Sequence, residues 1–267
     1  MIELLKSILL GIIQGLTEFL PISSSGHLVL AEHFLKFQQP NIVFKVILHL
    51  GSLFAVLIYF RKEIISILKS LIYFRLKDIE NRNNRKVALY IAITTLVTGV
   101  IGFFFKDFLE RTFNMIYIPS ILLLVTGLIL MLSDKIEAKQ HNSYQLGVKN
   151  SIFIGLVQTF AILPGISRSG TTIAAGIFSG LKREAAARYS FLISIPAILG
   201  ANLLQIPEIV NLQSDLIINY LAGSISAFIS GYIVISLLIR MVKKQKLKYF
   251  SYYCWLIGIS TIILYVI

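Results

Sequence analysis

Long apolar stretches recur along the chain, and six of them approach the roughly 20 residues that a helix needs to cross a bilayer. They lie at about 42–60, 87–105, 116–133, 186–204, 216–240 and 249–267. The apolar regions 2–20 and 148–163 instead run into breaks rich in Pro, Ser and Gly at 21–26 and 164–170, and a short apolar piece follows each break. The pattern predicts an all-α polytopic membrane protein with six transmembrane helices and two re-entrant helical hairpins.

The composition supports a membrane protein. Of the 267 residues, 56% are apolar and 14% are charged, and the mean hydropathy is +0.80. A soluble domain has roughly 45–50% apolar and about 25% charged residues. The chain therefore has too few charges to cover a water-facing surface, which excludes a soluble enzyme. The single cysteine, Cys254, cannot form an intrachain disulfide and is predicted to pack among apolar neighbours.

The net charge of +12 comes mainly from four segments between the apolar stretches. Segments 61–86, 134–149, 182–188 and 240–248 contain eight, three, three and five Lys or Arg residues, which is 19 of the 25. Short cytoplasmic loops carry such an excess, so these segments are predicted to be cytoplasmic and both termini external. The charge then says nothing about nucleic acid, and no nucleic-acid partner is expected. Segment 61–86 alternates apolar and basic residues, which predicts an interfacial amphipathic helix on anionic lipid.

An internal repeat accompanies the two breaks. At an offset of 144 residues, five positions of the first break region are identical in the second, giving G-x-x-Q-x8-S-x-S-G twice. The repeat predicts one membrane domain with halves of about 1–133 and 146–267. Each half has one hairpin and three spans, and an odd number of spans inverts the second half. Inverted repeats with broken helices are typical of transporters, so a transporter stays an alternative.

The first break places polar groups inside an apolar region. Residues 14–27 read QGLTEFLPISSSGH, in which Gln14 and Glu18 share one helix face. Ser23, Ser24 and Ser25 stand where the next helix needs an N-cap, and capping alone could account for them. Glu18 and His27 favour a functional site, because an ionisable group at membrane depth is costly unless it has a partner.

The second break, PGISRSGTT at 164–172, contains Arg168, whose planar guanidinium suits a phosphate or carboxylate. Hydroxyls surround this arginine, and two half-helices are predicted to begin at the breaks. Helix N-termini bind anions through free amides and the macrodipole. The sequence therefore predicts a phosphate or diphosphate ligand at membrane depth. The alternative is a Glu18–Arg168 ion pair that only holds the hairpins together.

Together, TEFLPISSSGH at 17–27 and PGISRSGTT at 164–172 resemble the two motifs of the undecaprenyl-diphosphate phosphatase (bacitracin-resistance) family of bacterial membrane proteins. The resemblance implies a hydrolase that removes the terminal phosphate of undecaprenyl diphosphate. The resemblance implies that this hydrolase recycles the lipid carrier for peptidoglycan synthesis and confers bacitracin resistance. It also implies a multi-pass protein of the inner membrane, with its active site open to the external face and a polyprenyl diphosphate substrate. Membrane lipids are the other expected partners, and a homodimer is left open.

The resemblance also implies residue roles. It assigns Glu18, Ser24 and His27 in the first motif and Ser167, Arg168 and Thr172 in the second. Ser24 is the favoured nucleophile and His27 the alternative, while His27 or Glu18 takes the hydroxyl proton. The diphosphate is expected to bind Gln14, Ser23, Ser25, Ser167, Arg168, Ser169, Gly170 and Thr172.

A divalent cation, Mg²⁺ or Ca²⁺, is expected to bridge Glu18 and the diphosphate. One departure from the family pattern is visible, because the first motif often begins with Glu where this chain has Gln14. Glu18 is therefore the sole acidic candidate for metal contact or proton transfer at this place. A transporter or flippase for a polyprenyl phosphate is the alternative function.

Overall fold

The structure is a computed structural model, and it describes residues 1–35, 37, 42–72, 78–105, 117–137, 139–203, 205 and 216–266. Eleven α-helices lie within these ranges. They are α1 Ile2–Phe19, α2 Ser24–Phe34, α3 Ile42–Tyr59, α4 Arg61–Ile72, α5 Ile79–Phe104, α6 Tyr117–Lys135, α7 Val148–Phe160, α8 Arg168–Phe178, α9 Arg183–Leu203, α10 Ile217–Lys243 and α11 Leu247–Val266. A short 3₁₀ helix, Ser143–Gln145, precedes α7.

Five helices are long and apolar enough to cross a membrane: α5, α6, α9, α10 and α11. The sixth predicted span corresponds to the 18-residue α3, which bends by 75° into α4 at Phe60. Large apolar side chains point outward from the spans, among them Leu96, Phe103 and Ile233, each about two-thirds exposed. Contact of such an apolar surface with lipid is favourable, whereas its contact with water is not. The prediction of an all-α polytopic membrane protein is confirmed.

Helix α4 coincides with the first part of the basic segment 61–86. Its side chains Ile65, Leu68 and Leu71 are about half exposed and lie on one side, while Ser70 is buried. The bend that precedes α4 turns it away from the direction of α3. This arrangement suits a helix that lies along a membrane surface. Residues 73–77 of the same segment lie outside the described residues.

Both predicted breaks are present as helix–break–helix pairs, α1 with α2 and α7 with α8. Helices α2 and α8 have 11 residues each, or about 16 Å, which is roughly half the thickness of the hydrocarbon core. Helix α1 is longer than a half-helix, at 18 residues. Its first turn carries the Lys6–Glu3 ion pair at 2.8 Å, which suits the polar boundary of a membrane rather than its interior.

Glycine lets each hairpin pack tightly against a span of the other half. Helix α1 packs on α10, and α7 packs on α5. A Cβ atom on Gly11 would lie 2.1 Å from the carbonyl oxygen of Gly223, and one on Gly155 would lie 2.9 Å from that of Thr94. Small residues allow this approach between membrane helices. The hairpins are therefore fixed to the bundle by backbone contact.

The four basic segments meet at one end of the bundle, where ion pairs join them. The pairs are Glu63–Arg188 at 3.2 Å, Glu184–Lys243 at 3.3 Å and Asp134–Arg183 at 3.4 Å. In addition, the backbone N–H of Lys182 donates to the carbonyl of His141 at 2.9 Å. All four segments therefore lie on the same side of the molecule, as a common cytoplasmic location requires.

Candidate active site

The two breaks contact each other directly. The backbone N–H of Gly165 donates to Ser23 Oγ at 3.1 Å, and Ser169 Oγ donates to the carbonyl of Leu20 at 3.0 Å. Ser23 and Ser167 are the N-caps of α2 and α8 and accept from the N–H groups three residues later. The N-termini of α2 and α8 therefore lie side by side inside the bundle, as the sequence predicts.

Glu18, at the end of α1, is the centre of the polar cluster at this junction. Its side chain is buried, and one carboxylate oxygen, Oε1, accepts from Arg168 Nη2. The other oxygen, Oε2, accepts from Ser24 Oγ at 2.7 Å and from Gln14 Nε2 at 3.0 Å. One carboxylate thus joins three predicted site residues from two hairpins.

Of the two terminal nitrogens of Arg168, one has a hydrogen-bond partner among the described residues and the other has none. Its Nη2 bonds Glu18, whereas its Nη1 is buried and has no hydrogen-bond partner among the described residues. A buried guanidinium N–H without a partner is costly. Because Arg168 is also the first residue of α8, the positive end of the helix dipole adds to its charge. The Nη1 group is therefore available to an anionic ligand.

The other predicted binding residues hold the break in shape. Thr172 Oγ1 donates to the carbonyl of Arg168 at 2.7 Å and lies 2.6 Å from Ser190 Oγ. The N–H of Gly170 donates to the capping oxygen of Ser167 at 3.1 Å. Ser25 Oγ lies 3.3 Å from Ser23 Oγ. These groups line the junction, and their hydroxyls are occupied by protein partners.

Ser24 differs from the neighbouring serines, because its hydroxyl bonds Glu18 instead of capping a helix. Ser23 provides the cap of α2 with a side chain that accepts from Gly26 N at 3.4 Å, and its φ of +69° is rare for a residue other than glycine. Backbone strain of this kind concentrates at functional sites. Capping alone therefore explains Ser23 but leaves the position of Ser24 unexplained.

His27 lies beside the cluster, and both of its ring nitrogens are engaged. Nδ1 lies 2.8 Å from the carbonyl oxygen of Ser23, and Nε2 lies 2.9 Å from Tyr253 Oη. Among the described contacts of His27, none reaches Glu18, Ser24 or Arg168. Tyr253 could not be recognised as part of the site from the sequence, because it is a tyrosine in an apolar span 226 residues away from His27.

Two further residues, one on α3 and one on α6, contact the site. His49 Nδ1 bonds the carbonyl of Lys45 at 2.8 Å, and its Nε2 lies 3.7 Å from Glu18 Oε2. Thr126 Oγ1 donates to the carbonyl of Gly165 at 3.0 Å and accepts from Ser167 N at 3.1 Å. Thr126 in a span would ordinarily bond its own helix, so only the tertiary structure reveals that it supports the second break.

Oxygen donors for a cation are few at this centre. Besides Glu18, the amide oxygen of Gln14 is buried and has no hydrogen-bond partner in the described structure. Its orientation follows from the bond that Nε2 donates to Glu18. The ranges that the structure describes contain no group of three or more His, Cys, Asp or Glu side chains suited to a metal. Gln14 Oε1 and Glu18 are thus the protein oxygens that fit a divalent cation, with the remaining ligands from phosphate or water.

The fold and the cluster together define a polytopic helical membrane protein with a hydroxyl–carboxylate–guanidinium centre between two broken helices. Residues 7–260 match the family model described as bacitracin resistance protein BacA. The chain belongs to this family.

Relatives named undecaprenyl-diphosphatase align over nearly the full chain. The protein of Methanobrevibacter smithii is 42% identical, covering 96% of each chain. That of Methanosphaera stadtmanae is 42% identical, covering 100% of each. That of Alkaliphilus metalliredigens is 42% identical, covering 97% of this chain and 98% of the relative. Because the similarity spans both breaks, it covers the whole candidate site.

Proposed function

We propose that this protein is a membrane phosphatase that hydrolyses undecaprenyl diphosphate to undecaprenyl phosphate and inorganic phosphate. The family membership and the names of its relatives support this activity. The observation that carries the chemistry is the triangle around Glu18, whose two carboxylate oxygens accept from Ser24 and from Arg168. A hydroxyl with a base at 2.7 Å and a free guanidinium N–H beside it is the minimum that phosphoryl transfer to a serine needs.

In the proposed reaction, Ser24 Oγ attacks the terminal phosphorus, and Glu18 Oε2 takes its proton. The bond between that phosphorus and the bridging oxygen breaks, and undecaprenyl phosphate leaves with the electron pair. Water then attacks the phosphoserine, the bond between phosphorus and Ser24 Oγ breaks, and Glu18 returns its proton to that oxygen. Inorganic phosphate departs, and the proton of the attacking water passes to His27, the second candidate base. Glu18 is the favoured base for the first step, because the hydrogen bond to Ser24 already exists.

Stabilisation of the charge on the phosphoryl oxygens comes from the second hairpin. Arg168 Nη1 would donate to a non-bridging oxygen, and the helix N-termini at Ser24 and Arg168 add favourable dipoles. The arginine also bonds Glu18 directly, so the same residue would orient the base and neutralise charge on the product.

The proposal includes a divalent cation, Mg²⁺ or Ca²⁺, held by Glu18 and Gln14 Oε1. When bound, such an ion would neutralise charge on the diphosphate.

The proposal also includes placement in the inner membrane with the site open to the external face. The joining of the four basic segments at one end supports this orientation. A homodimer stays a prediction.

The halves 1–133 and 146–267 are proposed to form the inverted repeat. Support comes from equivalent packing, since α1 packs on α10 of the second half and α7 packs on α5 of the first. Gly11 and Gly155, which are 144 positions apart, provide the close approach in each case. The repeat brings Ser24 and Arg168, also 144 apart, to the same carboxylate.

The test is phosphate release by purified protein in detergent, where no transmembrane gradient exists. We expect conversion of undecaprenyl diphosphate to the monophosphate with one inorganic phosphate for each lipid, and loss of this activity in Arg168→Ala. Thr261→Ala is a matched control, because Thr261 bonds only its own helix on α11. If the wild-type protein consumes no lipid diphosphate with added Mg²⁺ or Ca²⁺, the hydrolase proposal fails. The transporter alternative would then stand, since a transporter needs a charge clamp but no nucleophile.

A further inference from the structure

Helix α11 reaches the first break through two consecutive residues. Cys254 Sγ lies 3.7 Å from the carbonyl oxygen of Pro21, on one side of the break, and Tyr253 Oη lies 2.9 Å from His27 Nε2, on the other. The rings of Tyr253 and His27 are nearly parallel, with an interplanar angle of 11° and centroids 5.6 Å apart. A helix from the far end of the chain thus fixes both the backbone and the imidazole of the first break.

The hydrogen bonds define which nitrogen of His27 carries the proton. The Ser23 carbonyl oxygen at 2.8 Å from Nδ1 can only accept, so Nδ1 donates. In the neutral ring the lone pair is then on Nε2, and the Tyr253 hydroxyl donates to it. Without Tyr253, the Ser23 carbonyl alone would select the tautomer, and the Nε2 lone pair would lack a fixed partner.

The tyrosine hydroxyl suits this position because it can either donate or accept a hydrogen bond. It donates to Nε2 when the imidazole is neutral and accepts from Nε2–H when the ring is protonated. Tyr253 is also 37% exposed although it lies in a span, so its hydroxyl borders accessible space. A residue of this kind lets His27 change protonation without losing its orientation, as the orienting partner of a catalytic histidine must.

We propose that Tyr253 is a positioning residue of the active site, which acts through His27 by fixing the orientation of its ring. The inference rests on the proposed function, because His27 matters to the rate only if the protein is a phosphatase. Tyr253 itself touches His27 and no reacting atom, so its substitution should affect the chemical step more than substrate binding.

The kinetic test compares Tyr253→Phe with Tyr252→Phe. Phenylalanine keeps the stacked ring and removes only the hydroxyl, and Tyr252 is a half-exposed neighbour whose ring packs on Trp255. We expect Tyr253→Phe to lower kcat about 10-fold or more with KM within about twofold, and Tyr252→Phe to change neither. A normal kcat in Tyr253→Phe, or a loss confined to KM, overturns the proposal.

A spectroscopic measurement separates positioning from folding and from the function itself. With ¹⁵N-labelled histidine, and the His27 signals assigned with His27→Asn, the wild type should show a protonated Nδ1 and a hydrogen-bonded, unprotonated Nε2. Tyr253→Phe should shift only the Nε2 signal toward that of a free lone pair. A protonated Nε2 in the neutral wild-type ring, or an unchanged signal in Tyr253→Phe, overturns the proposal even where the variant folds poorly.

The two proposals fail in different ways. If the wild type releases no phosphate, the phosphatase proposal fails, while the ¹⁵N signals still decide whether Tyr253 orients His27. If the wild type is active and Tyr253→Phe retains its kcat, only the role of Tyr253 fails.

Discussion

Ser24→Ala separates the chemistry of the first break from its architecture. Ser24 lies at the first position of α2, is partly buried, and bonds Glu18 Oε2 at 2.7 Å. Ser23, one residue earlier, caps the helix and also accepts from Gly165 N across the two breaks. Ser24→Ala should therefore lower the rate of hydrolysis more than the stability, and Ser23→Ala should lower the stability more than the rate.

The cost of Ser24→Ala to stability should be small. A hydrogen bond to a charged group contributes about 1.5–3 kcal/mol when nothing replaces it. Two other donors, Arg168 Nη2 and Gln14 Nε2, remain on the Glu18 carboxylate. We expect a loss of about 1 kcal/mol or less, or a fall in the thermal midpoint of a few degrees. The rate should fall about 10³-fold or more, since the nucleophile is lost.

Ser23→Ala should cost more stability and less activity than Ser24→Ala. It removes the cap of α2, at about 0.5–2 kcal/mol, and leaves the buried N–H of Gly165 without its partner, at about 1–3 kcal/mol. Alanine also tolerates the positive φ of this position poorly. The thermal midpoint should therefore fall further than in Ser24→Ala, while hydrolysis falls less. Thr261→Ala is again the matched control, because Thr261 Oγ1 donates to the carbonyl of Ile257 on its own helix.

The assay is phosphate release from lipid diphosphate in detergent, together with thermal unfolding of each variant. Acid quenching with substrate labelled on the terminal phosphate should trap an acid-stable phosphoserine in the wild type and none in Ser24→Ala. A rate within about tenfold of wild type in Ser24→Ala would eliminate Ser24 as the nucleophile. An acid-labile label that persists in Ser24→Ala would transfer that role to His27.

Three further substitutions test the surroundings of the site. Gly165→Ala should lower stability by at least about 2 kcal/mol and lower the thermal midpoint accordingly, because φ is +99° and the added Cβ would lie 2.3 Å from the Pro119 carbonyl oxygen. Asp134→Asn should weaken the start of α11, where its carboxylate accepts from two backbone N–H groups, and should leave the buried Arg183 without its charge partner, at a cost of about 2 kcal/mol or more, with kcat and KM within about twofold. The double variant Glu18→Gln/Arg168→Met should retain most of its thermal stability in unfolding scans but release no phosphate.

The spans and the breaks could be predicted from the sequence because they depend on local properties. Apolar runs locate α5 and α9–α11, and Ser23 and Ser167 cap helices at the predicted places. Glu18 and Arg168 were recognisable because a charge at membrane depth has few structural explanations. These signals are carried by residue type alone.

The partners of those residues were not predictable, since they depend on tertiary packing. Tyr253 and Thr126 look like ordinary residues of apolar spans, and only the placement of their helices against the breaks makes them part of the site. His49 bonds the carbonyl of Lys45 through one ring nitrogen, and its other nitrogen lies 3.7 Å from Glu18 Oε2. A single polar residue in a span can form several kinds of hydrogen bond, and the helix packed against it determines which one forms.

The Glu18–Arg168 ion pair is redundant as a tether. Neutral hydrogen bonds already join the two breaks, from Gly165 N to Ser23 and from Ser169 to the Leu20 carbonyl. A buried ion pair contributes little net stability, because removing both charges from water costs as much as their attraction returns. A pair that only held the hairpins together would also satisfy the whole guanidinium, whereas Arg168 Nη1 is left without a partner. The unpaired N–H therefore supports the proposal that this position accepts a phosphoryl oxygen, and it argues against a pair that only tethers the two hairpins.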